Sequence, residues 1–248
     1  MIALDYLEGL GEDFSIPPED LAQLQPMLRS SDDTAASYFW VKGGFAAIVE
    51  RMATKLDLTD TAPPADRAIW GYTAISASDV VKIYRYILDD ASPQVRSVIM
   101  DNLHQSTKCG NDGFDQYFGI PEAAPPPWAI KQGWSGFGDA PSIPCSPANP
   151  LPPDPFDEPE VHDGDAEIAD GLAGSSQDGQ EPTPAGPDID LTKAAMHTTG
   201  TLGENNDKIV VVLTLEPAGI SWNESARRIS LITEGVLAVS SLVISASD

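Results

Sequence analysis

The feature that most constrains the fold of this chain is the position of its strand-like segments, which all lie in the second half. Up to about residue 104, apolar residues recur every three or four positions, which is the spacing of helices with one buried face. Residues 128–134, 193–203 and 208–215 are instead rich in β-branched or aromatic side chains, and a further helical pattern begins at about Trp222. Helices followed by antiparallel strands and a terminal helix predict an α+β fold.

Residues that favour helix starts support this division. Pro17 and Pro18 precede acidic residues at the start of one predicted helix. Asp33 is predicted as the N-cap of a helix over 34–41, and Ser76 and Ser92 are predicted caps of two later helices. The first hundred residues are therefore expected to be almost wholly helical.

An acidic, proline-rich segment interrupts the predicted sheet at 139–190. It holds thirteen of the 38 acidic residues and eleven of the 22 prolines, with no Lys or Arg. Such a composition cannot bury enough apolar surface to offset its ordering entropy, so we predict a disordered insertion. A solvated spacer is favoured over a segment that repels anionic ligands.

These patterns predict one domain over 1–248. Residues 1–127 are expected to form a mainly helical lobe. Residues 128–138 and 191–248 are expected to form a sheet with a C-terminal helix, on either side of the insertion.

Composition excludes several classes of function. The net charge of −24 argues against nucleic-acid binding, which needs clustered Lys and Arg. No run of eighteen apolar residues occurs, which predicts no transmembrane segment, and the first residues lack the basic start of a signal peptide. The histidines are scattered and no phosphate-binding glycine motif is present, so neither a metal nor another cofactor is expected.

Cys109 and Cys145 are the only two cysteines. Both lie among glycines or prolines typical of loops, which favours a disulfide over a buried pair or a metal site. Two unrelated free thiols remain the alternative.

Two segments carry a resemblance to a known family. Ser31-Asp32-Asp33 is followed by Thr-Ala-Ala, and Lys131-Gln132-Gly133 lies in a predicted strand. In this order they resemble the S-D-N and K-T-G motifs of the class A β-lactamase and penicillin-binding protein (DD-peptidase-like serine hydrolase) superfamily. The resemblance implies the β-lactamase/transpeptidase-like fold, with the two segments facing one another across a cleft. A helix N-cap and an exposed lysine explain each segment separately, but not both together in this order.

The resemblance also implies roles for these residues. Ser31 corresponds to the hydroxyl that relays protons, and Asp32 to the residue that braces its loop. Asp33, Gln132 and Gly133 correspond to positions that contact substrate, and Lys131 to the lysine that pairs with the acidic end of a peptide or β-lactam.

The sequence departs from the family in ways that affect activity. No serine has a lysine three positions later, so the nucleophile motif S-x-x-K is absent from these 248 residues. Residues 1–10 look like the helix that follows that motif, which predicts an N-terminally truncated chain without the family's first strands. Asp33 replaces an asparagine, and no match to the loop glutamate of E-x-x-L-N occurs between Leu56 and Thr73.

The missing strands have a physical consequence. Residues 208–215 are then expected to form an exposed apolar edge strand. We therefore predict that the chain alone is poorly soluble or misfolded.

Three functions follow as hypotheses. The first is a serine hydrolase-like protein for peptidoglycan-type or β-lactam-like small molecules, inactive as given because the nucleophile is absent. The second is a non-catalytic extracytoplasmic binding protein of the same fold. The third is an unrelated hydrolase, since residues 133–137 partly match the G-x-S-x-G motif. The resemblance implies a location outside the cytoplasm, and the oligomeric state is left open.

Overall fold

The computed structural model describes residues 1–11, 13–146, 190 and 192–245. Most of the predicted acidic insertion, residues 147–189, lies outside the described residues.

Eight α-helices are present in these ranges. They are α1 (Ile2–Glu8), α2 (Pro18–Arg29), α3 (Asp33–Lys42), α4 (Ala47–Leu56), α5 (Ala77–Arg85), α6 (Pro93–His104), α7 (Ile120–Ala123) and α8 (Trp222–Ser245). A 3-10 turn at Trp70–Tyr72 and a π-helical turn at Tyr86–Asp90 complete the helical part. Ser76 and Ser92 cap α5 and α6 as predicted, because their hydroxyls accept the backbone N–H groups of Asp79 and Val95.

The predicted cap of α3 was wrong by one residue. Asp32 is the N-cap, since its Oδ1 accepts the N–H of Ala35 at 2.9 Å from an extended backbone conformation. The turn that precedes α3 therefore ends one position earlier than expected. Asp33 is already in the first helical turn, and its carboxylate is not used for capping.

The sheet is antiparallel, with strand order β1-β2-β3. The strands are β1 (Trp128–Ser135), β2 (Ala195–Leu202) and β3 (Lys208–Leu215). The second strand is slightly shorter than the predicted 193–203, and the third begins and ends as predicted. Lys131 pairs with Thr199, and Gly133 pairs with His197, so these four side-chain positions share one face of the sheet.

Apolar side chains bury the sheet on both faces. One large core joins α1–α6 and reaches the sheet through Ala129 and Ile209. On the other face, Met196 and Val212 of the sheet pack against Ile229 of α8. The chain therefore has an α+β architecture in which the sheet lies between a helical lobe and α8. No helix in the described parts is both long enough and apolar enough to cross a membrane.

The connection from α4 to α5 is an ordered loop. Backbone hydrogen bonds join Ala62 and Ala74, and the buried carboxylate of Asp79 accepts from the backbone N–H of Asp60 at 2.8 Å. Closing the loop at its base brings Trp70 and Thr73 to the wall of a cavity between the lobe and the sheet.

Candidate functional site

A cavity of about 320 Å³ lies where the N-terminus of α3 meets β1. Its polar wall includes Ser31, Asp32, Asp33 and Lys131, together with Thr73 and Gln132. Its remaining wall is mostly apolar and includes three indole rings, those of Trp40, Trp70 and Trp134, with Met27, Leu28 and Ile48. An apolar pocket with a few convergent polar groups is the usual form of a small-molecule site.

The two segments that the sequence singled out meet in this cavity. Lys131 Nζ donates a hydrogen bond to Ser31 Oγ at 2.5 Å and to the carbonyl oxygen of Gln132 at 2.8 Å. Ser31 is a non-glycine residue at φ +53°, in the left-handed region that costs backbone energy for most side chains. Such a conformation persists only where the surroundings impose it.

The loop between α6 and α7 imposes that conformation. The Ser31 hydroxyl donates to Gln116 Oε1 at 2.9 Å, and Gln116 Nε2 donates to the carbonyl oxygen of Arg29 at 2.7 Å. The N–H of Asn111 donates to the carbonyl oxygen of Ser30 at 2.7 Å. Gln116 is 1% exposed, so its amide is a fixed support for the turn that carries Ser31.

A disulfide joins the same loop to the segment that follows β1. Cys109 and Cys145 are bonded, with Cα atoms 5.5 Å apart, and the N–H of Cys145 donates to the carbonyl oxygen of Gly113 at 2.7 Å. Asp112 of this loop also accepts the indole N–H of Trp134 at 2.8 Å. The loop between α6 and α7 is thereby attached to β1 and to the residues that follow it, beside the cavity.

Lys131 is also held from the sheet. Thr199 Oγ1 donates to the carbonyl oxygen of Lys131 at 2.7 Å, and the hydroxyl of Tyr84 lies 3.0 Å from Thr199 Oγ1. Burial raises the pKa of Tyr84 to about 12, so this phenol stays neutral. A helix of the lobe is thus joined by hydrogen bonds to the backbone of the lysine.

Neighbouring negative charges limit the effect of burial on the pKa of Lys131. Burial lowers the pKa of Lys131 to about 8, although the negative charges of Asp33 and Asp112 oppose the shift. Burial, followed by the negative charge of Asp112, raises the pKa of Asp33, while Lys131 lowers it. With a pKa of about 8, Lys131 is largely protonated near pH 7, and Asp33 lies with it on the cavity wall.

The side chain of Gln132 lies away from that of Lys131. It donates to the carbonyl oxygen of Phe118 at 2.6 Å, on the face of the sheet opposite Lys131. Consecutive residues of a strand point to opposite faces, so a lysine in the cavity places its neighbour's side chain away from it. Gln132 still lines the cavity, and its carbonyl oxygen accepts from Lys131, so its contact with a substrate stays a prediction.

Gly133 and His197 lie side by side on the face that carries Lys131. A Cβ atom added at Gly133 would meet only His197, at an ordinary contact distance of 3.8 Å. The packing of the protein therefore does not itself require a glycine here. Burial lowers the pKa of His197, which keeps the imidazole neutral near pH 7.

Sequence reasoning missed the residues that support the site. Gln116 reaches Ser31 across 85 positions of sequence, and Thr199 reaches Lys131 across 68, separations that carry no local signal. Asp112 stands in the sequence Asn-Asp-Gly, which is typical of a turn and gave no reason to suspect a role near the lysine.

Two other chemistries receive no support from the geometry. Ser135 ends an antiparallel strand, whereas the G-x-S-x-G serine requires a strand-to-helix turn in a parallel sheet. The hypothesis of an unrelated hydrolase is therefore wrong on this point. Among the described residues, no group of three or more His, Cys, Asp or Glu side chains is placed to hold a metal ion.

Comparisons with known proteins agree with this architecture. A class A beta-lactamase from Mycobacterium abscessus matches with a TM-score of 0.55 and 15% sequence identity, covering 97% of this chain and 82% of that chain. The chain therefore has a β-lactamase-like fold, as the sequence resemblance implied. No family model matches the sequence.

Similarity in sequence extends to a different group of proteins. Proteins described as "Putative lipoprotein LppW" from Mycobacterium bovis and Mycobacterium tuberculosis are 44% identical over 124 residues, or 48% of this chain. The match spans 39% of the length of those relatives.

Proposed function

We propose that the cavity binds a small amide or peptide ligand that carries a carboxylate, of the peptidoglycan-stem or β-lactam type. In a protein that also supplies an S-x-x-K motif, the same cleft would perform acyl transfer. One observation carries the proposal, namely the 2.5 Å contact between Lys131 Nζ and Ser31 Oγ on the cavity wall. The ammonium group is a donor for a ligand carboxylate, and the adjacent hydroxyl is placed to relay a proton.

The other walls support the same class of ligand. Asp33 offers a carboxylate oxygen to a ligand N–H, which an amide or a peptide provides. The indoles of Trp40 and Trp70 offer flat apolar surfaces to the ligand's body. An N-acyl amino acid, with an amide N–H and a carboxylate a few bonds apart, satisfies both polar groups.

The sequence favours a second candidate, a non-catalytic binding protein with the same ligand class. No serine among the 248 residues has a lysine three positions later, and the loop at 57–73 offers aspartates but no match to the E-x-x-L-N glutamate. Binding by Lys131 and Asp33 needs neither group. The two candidates are separated by turnover, since only the first releases a hydrolysed product.

We also place the protein in the cell envelope. The name of its relatives describes a lipoprotein, and a lipid-anchored protein works at a membrane surface. The disulfide between Cys109 and Cys145 supports the same location, because such bonds persist in oxidising compartments.

The binding proposal is tested by titrating the indole fluorescence of the protein with benzylpenicillin and with an N-acetylated dipeptide. Lys131→Met removes the ammonium, and the matched control Lys208→Met removes a lysine from β3. We expect at least a tenfold rise in Kd for Lys131→Met, about 1.4 kcal/mol, and an unchanged Kd for Lys208→Met. Equal affinities of the two variants, or an unmodified chain that binds neither ligand, would contradict the proposal.

A further inference from the structure

We propose that Ser31 is itself an acyl-accepting nucleophile and that Lys131 is the base that takes its proton. The inference concerns the cavity of the proposed function, but it assigns a chemistry that does not depend on an S-x-x-K serine. A hydroxyl paired with a lysine amine is a recognised alternative to the serine–histidine pair.

The geometry meets the first requirement for such a pair. Ser31 Oγ and Lys131 Nζ are 2.5 Å apart, within the reach needed for direct proton transfer. Ser31 Oγ lies on the wall of the 320 Å³ cavity, so an acyl group in that space has access to it. The left-handed backbone at φ +53° and the contact with Gln116 fix the position of Ser31 Oγ.

Proton balance meets the second requirement. A lysine with a pKa of about 8 leaves about a tenth of the molecules with a neutral amine at pH 7. The charged groups that act on this amine are Asp33 from α3 and Asp112 from the loop between α6 and α7. When the amine is neutral, the Ser31 hydroxyl hydrogen turns from Gln116 Oε1 to Lys131 Nζ, so that the hydroxyl donates to the amine.

The reaction proceeds in two balanced steps. Ser31 Oγ forms a bond to the carbonyl carbon of an ester or amide while Lys131 Nζ takes the hydroxyl proton. The bond from that carbon to the leaving group then breaks, and Lys131 returns the proton to the leaving group. Water hydrolyses the Ser31 ester in the second step, which restores the hydroxyl and releases the acid.

Binding and acyl transfer therefore use opposite protonation states of one amine. The charged form holds a ligand carboxylate, whereas the neutral form activates Ser31. As pH rises through about 8, carboxylate affinity should fall and the rate of Ser31 modification should rise. A lysine with a purely structural role would produce neither the fall in carboxylate affinity nor the rise in the rate of Ser31 modification.

The test uses a fluorophosphonate probe on the full chain between pH 6 and 9.5, with intact mass and peptide mapping as readouts. In this reaction the serine oxygen bonds to phosphorus, fluoride leaves, and the proton goes to the amine. We expect one adduct on Ser31, with a rate that rises through pH 8. Ser31→Gly removes the hydroxyl while suiting the positive φ, and should abolish the adduct.

Two further variants separate nucleophile from base. Lys131→Met should slow labelling of Ser31 by about a hundredfold or more. Ser135→Ala, on the exposed end of the same strand, should leave the rate unchanged. Each variant is first shown to keep the thermal transition of the unmodified chain.

The outcomes distinguish this inference from the binding proposal. Ligand binding that depends on Lys131, without any Ser31 adduct across the pH range, overturns the nucleophile and leaves the binding site. An adduct mapped to another serine, or a Ser31 rate independent of Lys131, also overturns it. Labelling of Ser31 without penicillin or dipeptide binding supports the nucleophile and overturns the proposed ligand class.

Discussion

The helical lobe and the layer formed by the sheet and α8 differ in where their exposed apolar side chains lie, because those of the lobe are spread over several elements whereas α8 carries its own within nine positions of one helix. In the lobe, helix stripes converge on one core, where Leu24 is 0% exposed and Phe39 is 1% exposed. On α8, Ile229 is buried against the sheet, but Leu231 and Val239 of the same helix are 55% and 61% exposed. We therefore expect the core of the lobe to contribute most of the stability, and the exposed apolar side chains of α8 to favour association.

The largest expected effect comes from truncating the same residue type in the two regions. Leu24→Ala leaves a cavity in the lobe and should lower the free energy of unfolding by about 3 kcal/mol. Leu231→Ala removes a mostly exposed side chain and should change it by less than about 0.5 kcal/mol. Urea unfolding of both variants measures the contrast. Similar losses would show that the two regions do not differ in this way.

A second prediction compares a buried carboxylate with an exposed one. The buried carboxylate, Asp20 of α2, joins α1, α2 and α3 by hydrogen bonds. Asp20 is 1% exposed and accepts hydrogen bonds from the hydroxyl groups of Tyr6 and Tyr38 and from Lys42. Asp20→Asn should lower the free energy of unfolding by about 2 kcal/mol at pH 7. The ion pair with Lys42 contributes a smaller part of this loss, because the lysine is partly exposed and solvent screens its charge. The matched control Asp13→Asn, at an exposed position, should cost almost nothing.

The pH dependence of the Asp20 effect sharpens this prediction. Burial alone would raise the pKa of Asp20, but hydrogen bonds from Lys42, Tyr38 and Tyr6 outweigh burial and hold the pKa below its ordinary value. A lowered pKa contributes stability above the unfolded value of about 4, and that stability is lost as pH falls further. The gap between the unmodified chain and Asp20→Asn should therefore narrow between pH 5 and pH 3. A gap that stays constant over this range would mean that the charge contributes nothing.

Features with a local signal could be predicted from the sequence in both regions. Local patterns were sufficient for the caps at Ser76 and Ser92 and for the strand at 208–215, because their signals lie within a few residues. Strand alternation likewise accounts for the position of the Gln132 side chain on the opposite face from Lys131.

The residues that support the site could not be predicted from local sequence patterns. Gln116 and Thr199 act through hydrogen bonds that span 85 and 68 positions, so only the folded chain brings them to Ser31 and Lys131. The lysine's pKa likewise depends on burial, which the sequence of one strand does not encode. The sequence predicted which residues form the site. It did not predict the hydrogen bonds that hold Ser31 and Lys131 in place, or the lowered pKa of Lys131.

The smallest effect, and the one that tests the outer surface directly, concerns association of the chain. Ile232 and Val239 are seven positions apart on α8, hence on one face, and both are exposed. β3 is the last strand in the order of the described sheet, with Leu215 37% exposed at its end. Together these features favour contact between copies, and poor solubility of the chain alone stays a prediction.

The double variant Ile232→Lys with Val239→Lys should raise the dissociation constant for association at least tenfold, because each contact would then bury an unpaired charge. Sedimentation velocity across a concentration series measures this change. Asn223→Lys adds a lysine at an exposed polar position of the same helix and should leave association unchanged. An unmodified chain that stays monomeric at every concentration would show that the exposed apolar residues of α8 do not suffice for contact. If instead Asn223→Lys weakens association as much as the double variant, net charge rather than the apolar face governs it, since −24 becomes less negative in both.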